Sequence, residues 1–274
     1  MIRRLALIGA GLALALVWIG WLGAIRDPVI TRYRVTIAGL QRPLRIVHLS
    51  DIHGSAWDMP EVRIARIVEQ ANAQRPDLIV NTGDFHASKI WNPKMRLEQA
   101  LRPLTRLRAP LGVYHVAGNH DSPYWTRTVM QRFGLTLLAG DHVDAGPVQI
   151  IGIDDMIMGF DPVGGLKRAV ARIKPGKPAI AIAHESDYWR FLPPSVGLFL
   201  NGHTHAGQIR VAGQPRLIGQ YERYRHGLFR NKAGQMMITS AGIGTTWVPL
   251  RIGTTPEIVV IDLQPPGRNS GTDK

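Results

Sequence analysis

The chain has 274 residues, of which 45% are hydrophobic and 19% charged, a balance that excludes an intrinsically disordered protein. It contains no cysteine, which excludes disulfides and thiolate metal sites, so any bound metal must take His, Asp, Glu or Asn ligands. The formal net charge of +13 favours an anionic partner such as a lipid headgroup, a phosphorylated substrate or nucleic acid, although a general bias toward arginine explains it equally well.

Residues 1–25 predict a membrane anchor. From Leu5 to Ile25 the chain runs for 21 residues without a charged side chain. At ~1.5 Å per residue, such a helix matches the ~30 Å hydrocarbon core of a bilayer. Trp18 and Trp21 lie near its end, where an interfacial aromatic belt is expected. A cleaved signal peptide is the alternative, but its apolar region is usually only about 7–15 residues long.

The side of the membrane on which the C-terminal domain lies is only weakly indicated. Two arginines precede the apolar run and four come soon after it, namely Arg3, Arg4, Arg26, Arg32, Arg34 and Arg42. Counted literally, the positive-inside rule leans slightly toward a cytoplasmic domain. An N-terminal signal-anchor can also export the domain attached to it, so both orientations stay open.

Residues 26–43 predict a juxtamembrane linker or a first strand, and residues 44–264 predict one domain. In this domain, apolar runs of strand length alternate with helical spacing such as that of Ile64, Ile67 and Val68. Predicted strands are 44–49, 78–80, 112–116, 148–153, 179–183, 197–200, 236–239 and 258–263, and a second predicted helix, 97–107, includes Pro103. This distribution predicts an α/β fold, a four-layer α-β-β-α sandwich of two mixed sheets flanked by helices, followed by a flexible tail at 265–274.

Polar side chains that bind metals cluster directly after five of these apolar runs. They are Asp51 and His53, Asp84, Asn119 with His120 and Asp121, His184, and His203 with His205. Because sites in open α/β sheets form beyond the carboxyl ends of the strands, we expect these groups to meet. Carboxylate, imidazole and amide ligands suit divalent Mn, Fe or Zn, and a bridging carboxylate can hold two such ions ~3.5–4 Å apart.

Each motif alone is weak evidence. Asp-x-His and Gly-Asp occur often by chance, and Gly-Asn-His-Asp or Gly-His-Thr-His can be an ordinary polar turn or surface loop. The five together, in this order and each after an apolar run, predict a two-metal centre. Glycines at positions 83, 118 and 202 are expected to allow the tight turns that bring backbone close to the ions.

In these motifs the sequence resembles the calcineurin-like metallophosphoesterase superfamily, over about residues 44–263. Ala109–Tyr114 before Gly118, and Ser240–Thr245 followed by Pro249 to Arg251, are similar to its membrane-associated bacterial branch. That branch includes exported phosphodiesterases and UDP-2,3-diacylglucosamine pyrophosphohydrolases of lipid A synthesis. The resemblance implies an enzyme of the bacterial inner membrane that hydrolyses a phosphodiester or pyrophosphate bond by in-line attack of a metal-bridging hydroxide.

The resemblance also implies roles for individual residues. The first metal would be bound by Asp51, His53 and His205, the second by Asn119, His184 and His203, with Asp84 bridging both. His120 would stabilise charge or protonate the leaving oxygen, and Asp121 would hold the His120 ring. Two divalent ions are implied, with Mn favoured over Fe or Zn, in a monomer.

A stretch rich in arginine and aromatic residues, 207–233, follows the last of these motifs and is expected to overhang the site. It contains Arg210, Arg216, Tyr221, Arg223, Tyr224, Arg225, Phe229 and Arg230. We expect Arg223 and Arg225 to grip a substrate phosphate, because guanidinium groups bind phosphate bidentately. An ordinary solvated basic loop is the alternative. Because the same chain carries a predicted membrane anchor, a phosphorylated lipid is favoured as the substrate over a soluble small molecule.

Other functions stay open at the level of sequence. A phosphomonoesterase or protein phosphatase would use the same metal centre. A membrane-bound scaffold with a vestigial site is disfavoured, because no position of the ligand set is lost. Nucleic-acid binding rests on charge alone and lacks a recognition motif, so we do not expect it.

Overall fold

The computed structural model describes residues 1–87, 89, 90, 92, 93, 95–215 and 223–266. Its helices are α1 (Ile2–Ile25), α2 (Glu61–Ala73), α3 (Leu97–Leu101), α4 (Pro123–Arg132) and α5 (Pro162–Ala171). Its strands are β1 (Val29–Thr36), β2 (Leu44–Leu49), β3 (Leu78–Asn81), β4 (Val113–His115), β5 (Thr136–Leu137), β6 (Asp141–Ala145), β7 (Val148–Gly152), β8 (Ala179–Ile182), β9 (Val196–Asn201), β10 (Arg210–Val211), β11 (Gln214–Pro215), β12 (Gly227–Arg230), β13 (Met236–Thr239) and β14 (Glu257–Gln264). Short 3₁₀ helices lie at Arg102–Arg106, Ser186–Phe191 and His205–Gly207.

Two mixed six-stranded sheets form the centre of the molecule. The first has the order β1-β14-β2-β3-β4-β5, and the second β12-β13-β9-β8-β7-β6. In the first sheet β2, β3, β4 and β5 are parallel, as are β7, β8, β9 and β13 in the second. Parallel strands end at the same edge, so each sheet collects the loops after several strands at one place.

Three apolar clusters hold the layers together. The inner faces of the two sheets pack on one another through side chains such as Ile46, Val80 and Ile180. The outer face of the first sheet packs on α2, α3 and α4, and that of the second on α5. The arrangement is the predicted four-layer α-β-β-α sandwich, and the fold class is confirmed.

Helix α1 is apolar and long enough to cross a membrane, as the sequence predicts. Its side chains from Ile2 to Ile19 are exposed, whereas Gly20 and Ala24 are buried against the domain. Only residues 26–28 separate the helix from β1, which pairs in parallel with β14. The segment 26–43, expected as a linker or a strand, therefore contains an edge strand of the first sheet.

Some local structure differs from the sequence expectations. The predicted helix at 97–107 forms only as α3, because the chain tightens into a 3₁₀ helix in which Pro103 occupies an early position. Helices α4 and α5 were not predicted; each begins with Pro after a capping side chain, Ser122 or Asp161. Of the predicted tail, residues 267–274 lie outside the described residues.

Candidate metal centre

The polar motifs lie at one edge of the sandwich, where strands of both sheets end. Asp51 and His53 follow β2, Asp84 follows β3, and Asn119 follows β4 in the first sheet. His184 follows β8, and His203 and His205 follow β9 in the second sheet. Because the two sheets pack face to face, their strand ends bring these seven side chains to a common centre.

Three of these side chains form one half of the centre. Nε2 of His53 lies 3.0 Å from Nε2 of His205, and Nε2 of His205 lies 3.3 Å from Oδ1 of Asp51. Together with Asp84, each offers one ligand atom within 4.8 Å of the others. All four residues are buried, so their positions are fixed by the surrounding packing.

Three further side chains form the other half. Oδ1 of Asn119 lies 3.1 Å from Nε2 of His184 and 3.0 Å from Nδ1 of His203. The two ring nitrogens lie 3.2 Å apart. An amide oxygen and two imidazole nitrogens thus converge in the same way as the first group.

Asp84 joins the two halves. Its Oδ2 atom lies 3.2 Å from Nε2 of His53 and 3.2 Å from Nε2 of His184. The other oxygen, Oδ1, accepts the backbone N–H of His120 at 2.9 Å. This bond fixes the carboxylate so that one oxygen faces both groups, which is the placement a bridging ligand requires.

The chemistry of the donor set fits two divalent cations. Nδ1 of His184 lies 2.7 Å from the Thr82 carbonyl oxygen, so Nδ1 donates there and Nε2 faces the centre, where its lone pair can bind a metal once the ring is neutral. Two buried carboxylates, Asp51 and Asp84, stand beside these rings. Buried carboxylates require compensating positive charge, and cations bound among these donors would supply it.

The electrostatic environment favours neutral imidazoles on most of the histidines. Burial lowers the pKa of His53 and of His203 to about 4, and holds the pKa of His205 well below its ordinary value. Burial alone would raise the pKa of Asp84, but the neighbouring His184 and His53 rings outweigh it and keep this pKa well below the usual range. Two ligands differ: burial alone would lower the pKa of His184, but Asp84 and Asp51 outweigh it and raise this pKa well above its ordinary value, and burial raises the pKa of Asp51 to about 6. Because neutral imidazole and ionised carboxylate are the forms that bind metals, metal binding would release protons from these two groups.

Five of the seven side chains sit on backbone in the left-handed region. The φ angles are 53° at Asp51, 48° at His53, 58° at Asp84, 70° at His203 and 49° at His205. Such angles are uncommon for residues other than glycine and concentrate at functional sites. The two sheets on either side maintain this strained backbone conformation. The left-handed backbone in turn directs the side chains of neighbouring loop residues toward one point.

Glycines permit the close approach of the loops, as the sequence suggests. A Cβ atom at Gly118 would lie 2.4 Å from Oδ1 of Asp84, and one at Gly202 would lie 2.3 Å from Oδ2 of Asp51. Gly83 has a φ of 95°, and a Cβ there would lie 2.5 Å from the backbone nitrogen of Gly118. A side chain at Gly118 or Gly202 would displace a proposed ligand, and one at Gly83 would displace the backbone just before Asn119.

The structure places Asp121 differently from the sequence expectation. Its Oδ2 accepts the backbone N–H groups of Asp84 at 2.8 Å and Gly118 at 2.9 Å, and its Oδ1 accepts that of Phe85 at 3.0 Å. The carboxylate therefore organises the backbone beneath the centre instead of holding the His120 ring. Nε2 of His120 lies 3.2 Å from the Thr246 hydroxyl, which takes the place expected for Asp121.

The two arginines expected to grip substrate do not line the metal cleft. Arg223 stacks over the Tyr224 ring, 5.4 Å from its centroid, and lines a separate cleft with Trp189 and Arg190. The backbone of Arg225 lies near the site, where its carbonyl oxygen accepts a hydrogen bond from the hydroxyl of Thr204, the residue between His203 and His205. Arg216 and Tyr221 of the same stretch lie outside the described residues.

The cleft over the centre, of about 430 Å³, has a wall that sequence reasoning missed. Thr246 and Trp247 line it together with Asp84, Asn119, His120, His203 and His205. Gln208 holds this wall: its side chain donates to the carbonyl oxygens of Thr246 and Val248 and accepts the N–H of Thr246 at 2.8 Å. In the sequence, the one feature that could have pointed to Gln208 is its position three residues after His205.

Comparison with known proteins finds metallophosphoesterases. A family model described as calcineurin-like phosphoesterase matches residues 44–207. An uncharacterized metallophosphoesterase of Helicobacter pylori is 28% identical over 257 residues, covering 90% of this chain and 67% of that protein. A transmembrane protein with metallophosphoesterase domain from Bos taurus is 30% identical, covering 90% of this chain and 59% of that protein. Among solved structures, a dimetal phosphatase from Danio rerio aligns with a TM-score of 0.48 at 12% identity, covering 74% of this chain and 88% of that one.

Proposed function

The chain belongs to the calcineurin-like phosphoesterase family of phosphoric ester hydrolases, and we propose that it is a membrane-anchored two-metal enzyme that cleaves a phosphodiester or pyrophosphate bond. The observation that carries this proposal is the position of Asp84 Oδ2, 3.2 Å from one histidine of each group. A single carboxylate oxygen between two sets of donors is suited to two ions and not to one.

The proposed ligands are Asp51, His53 and His205 for one ion, Asn119, His184 and His203 for the other, and Asp84 for both. The set combines carboxylate, amide and imidazole donors and contains no thiolate, which suits Mn, Fe or Zn, and of these we propose Mn. A metal pair bound there supplies a water of lowered pKa as nucleophile and offsets charge on the phosphoryl oxygens.

We assign proton transfer to His120. Its ring lines the cleft, 5.1 Å from the His53 ring centroid, and its Nε2 is held by the Thr246 hydroxyl at 3.2 Å. From this wall it can stabilise charge on the phosphoryl group or donate a proton to the leaving oxygen. Asp121 acts at a distance from the substrate, by fixing the backbone that carries Asp84.

The apolar helix supports a substrate that resides in the membrane. The exposed apolar side chains between Leu5 and Ile19 would be unfavourable in water, and the Bos taurus relative is described as a transmembrane protein. A tethered enzyme meets a membrane substrate at raised effective concentration. We therefore propose an amphiphilic phosphodiester or pyrophosphate, such as UDP-2,3-diacylglucosamine, hydrolysed at the surface of a bacterial inner membrane. The arginines on either side of the helix lean slightly toward the cytoplasmic face.

The test begins with the full chain purified in detergent. Elemental analysis is expected to find two divalent ions per chain, and zero or one would contradict the proposed centre. Turnover is then compared on bis-p-nitrophenyl phosphate, p-nitrophenyl phosphate and UDP-2,3-diacylglucosamine. Preference for the diester or the pyrophosphate supports the proposal, whereas preference for the monoester would assign a phosphomonoesterase.

A further inference from the structure

The helix α1 is seated directly on the domain. The backbone N–H of Arg251 donates to the Gly20 carbonyl oxygen at 2.8 Å, and a Cβ atom at Gly23 would lie only 2.2 Å from the Arg251 carbonyl oxygen. The exposed apolar part of the helix, Leu5 to Ile19, spans roughly 22 Å at ~1.5 Å per residue, so the rest of a ~30 Å hydrocarbon core would surround the part of α1 that lies against the domain.

A buried arginine connects the end of α1 to a neighbouring loop. The guanidinium of Arg63, on α2, donates to the carbonyl oxygens of Ala24 at 2.9 Å and Arg26 at 2.6 Å. The same group donates to the carbonyl oxygen of Asp58. The helix end and the loop 55–59 are thus fixed relative to one another by a single side chain.

Loop 55–59 is in turn fixed to two other loops by a buried polar cluster. The Asp58 carboxylate accepts hydrogen bonds from Nζ of Lys89 at 2.6 Å, from the hydroxyl of Thr245 at 2.7 Å and from the side-chain amide of Asn92 at 2.6 Å. Lys89 also donates to Ser55 at 3.0 Å. One desolvated ion pair, Asp58 with Lys89, therefore ties together the loop 55–59, residues 89, 90, 92 and 93, and the loop 245–248.

Each of these loops presents a large apolar side chain to solvent. Trp57 is 57% exposed, Ile90 47% and Trp247 57%, and we call these three residues the apolar rim. The backbone N–H of Ile90 donates to the Trp247 carbonyl oxygen at 2.7 Å, which keeps the two side by side. Trp247 has a φ of 60°, a conformation that costs energy for a bulky residue, and it also lines the metal cleft.

We propose that the apolar rim inserts into the headgroup region of the bilayer that α1 spans, so that the metal cleft opens at the membrane surface. The rim is continuous with the anchor through Arg63 and through the short segment that runs from Trp247 to Ile252, whose side chain lies against Gly20. Tryptophan favours the membrane interface, where its ring is apolar and its N–H meets water. This inference rests on the membrane anchoring proposed above and concerns where the substrate enters.

The absence of cysteine allows a direct test of position. Trp57→Cys and Ile90→Cys variants of the full chain are spin-labelled and reconstituted into vesicles of phosphatidylglycerol and phosphatidylethanolamine. Collision with oxygen, which concentrates in lipid, is compared with collision with a water-soluble nickel chelate. The control is Ser195→Cys, an exposed residue just before β9, at the strand end remote from the cleft.

We expect the oxygen-to-nickel accessibility ratio at positions 57 and 90 to be several-fold higher than at 195. Equal ratios at all three positions would overturn the inference by placing the rim in water. Shielding of 57 and 90 from both reagents would also overturn it, because a protein partner or second copy would then cover the rim. Turnover of bis-p-nitrophenyl phosphate by each labelled variant checks folding. Since the location readout does not depend on turnover, failure of this inference is distinct from failure of the proposed reaction.

Discussion

The Asp121 carboxylate accepts the backbone N–H of Asp84 at 2.8 Å, so the residue directly after the proposed acid supports the proposed bridging ligand. The same carboxylate binds the N–H groups of Gly118 and Phe85. Two loops that belong to different strands, β3 and β4, are joined by this one side chain. Its contribution is therefore to the position of Asp84 and not to the His120 ring.

Replacing Asp121 by Asn tests this assignment. The amide nitrogen cannot accept a hydrogen bond, so one buried backbone N–H loses its partner at a cost of ~1–3 kcal/mol. We expect metal affinity to fall by roughly 10–100-fold, as for other groups that orient ligands. Isothermal titration of the metal-free protein measures this. A variant with unaltered metal affinity but a selective defect on poor leaving groups would show instead that Asp121 acts through His120.

Replacing Asp84 by Ala removes the atom shared by both groups of donors. We expect both ions to be lost or nearly so, because each site loses a charged ligand and the remaining donors are mostly neutral imidazoles. Elemental analysis of the purified variant provides the count. Asp161→Ala, at an exposed position that caps α5, is the matched control and should retain both ions. If the Asp84 variant retained two ions, Asp84 would not be the bridging ligand.

Replacing His120 by Ala should leave the metal content unchanged and slow the chemistry. General acid catalysis by a positioned side chain contributes about 10²–10⁴-fold, and it matters most when the leaving oxygen is strongly basic. We expect a large loss on an alkyl phosphodiester and a small one on bis-p-nitrophenyl phosphate. Steady-state kinetics on the two substrates gives the comparison, with His142→Ala on β6 as control. An equal loss on both would exclude the acid role.

Replacing Gly23 by Ala should unseat the helix. Alanine normally stabilises a helix relative to glycine by about 1 kcal/mol, but here the new Cβ would meet the Arg251 carbonyl oxygen. We expect a lower melting temperature in detergent and a loss of activity, since Arg251 also donates to the Gly244 carbonyl oxygen at 2.7 Å beside Asp51. Gly11→Ala, with nothing within 4 Å, is the control. If the Gly23 and Gly11 variants have the same melting temperature, the helix and the domain are not packed as described.

Glu257 predicts a pH dependence of stability. Burial alone would raise its pKa, but His226, Thr31 and the Ala241 N–H outweigh it and hold this pKa below the ordinary value of 4.5. The unfolded chain therefore takes up the proton first as the pH falls, and the stabilisation present above pH ~4.5 is lost below it. We expect Glu257→Gln to lower the melting temperature at pH 6, and the difference from wild type to shrink toward pH 4. A difference independent of pH would contradict the assignment.

Local sequence patterns are enough to predict the layers of the fold and the positions at which chemistry is concentrated. Apolar runs of strand length and helical spacing depend on nearest neighbours, so α2 and eight strands, β2–β4, β7–β9, β13 and β14, could be predicted, whereas β5, β6 and β10–β12 were not. The seven proposed ligands were identified because each comes after such a run. The family and the enzyme class rest on the same short motifs, and both are confirmed.

The way in which these groups meet depends on the tertiary structure. Strand order and sheet packing determine three features that no local pattern shows. They are the left-handed backbone at Asp51 and His205, the position of Asp121 beneath Asp84, and the location of Arg223 in a different cleft. The seat of α1 on Arg251 depends on residues more than two hundred positions apart. Such contacts are fixed by long-range pairing, because a local pattern specifies which element forms but not which atom of a distant element it will face.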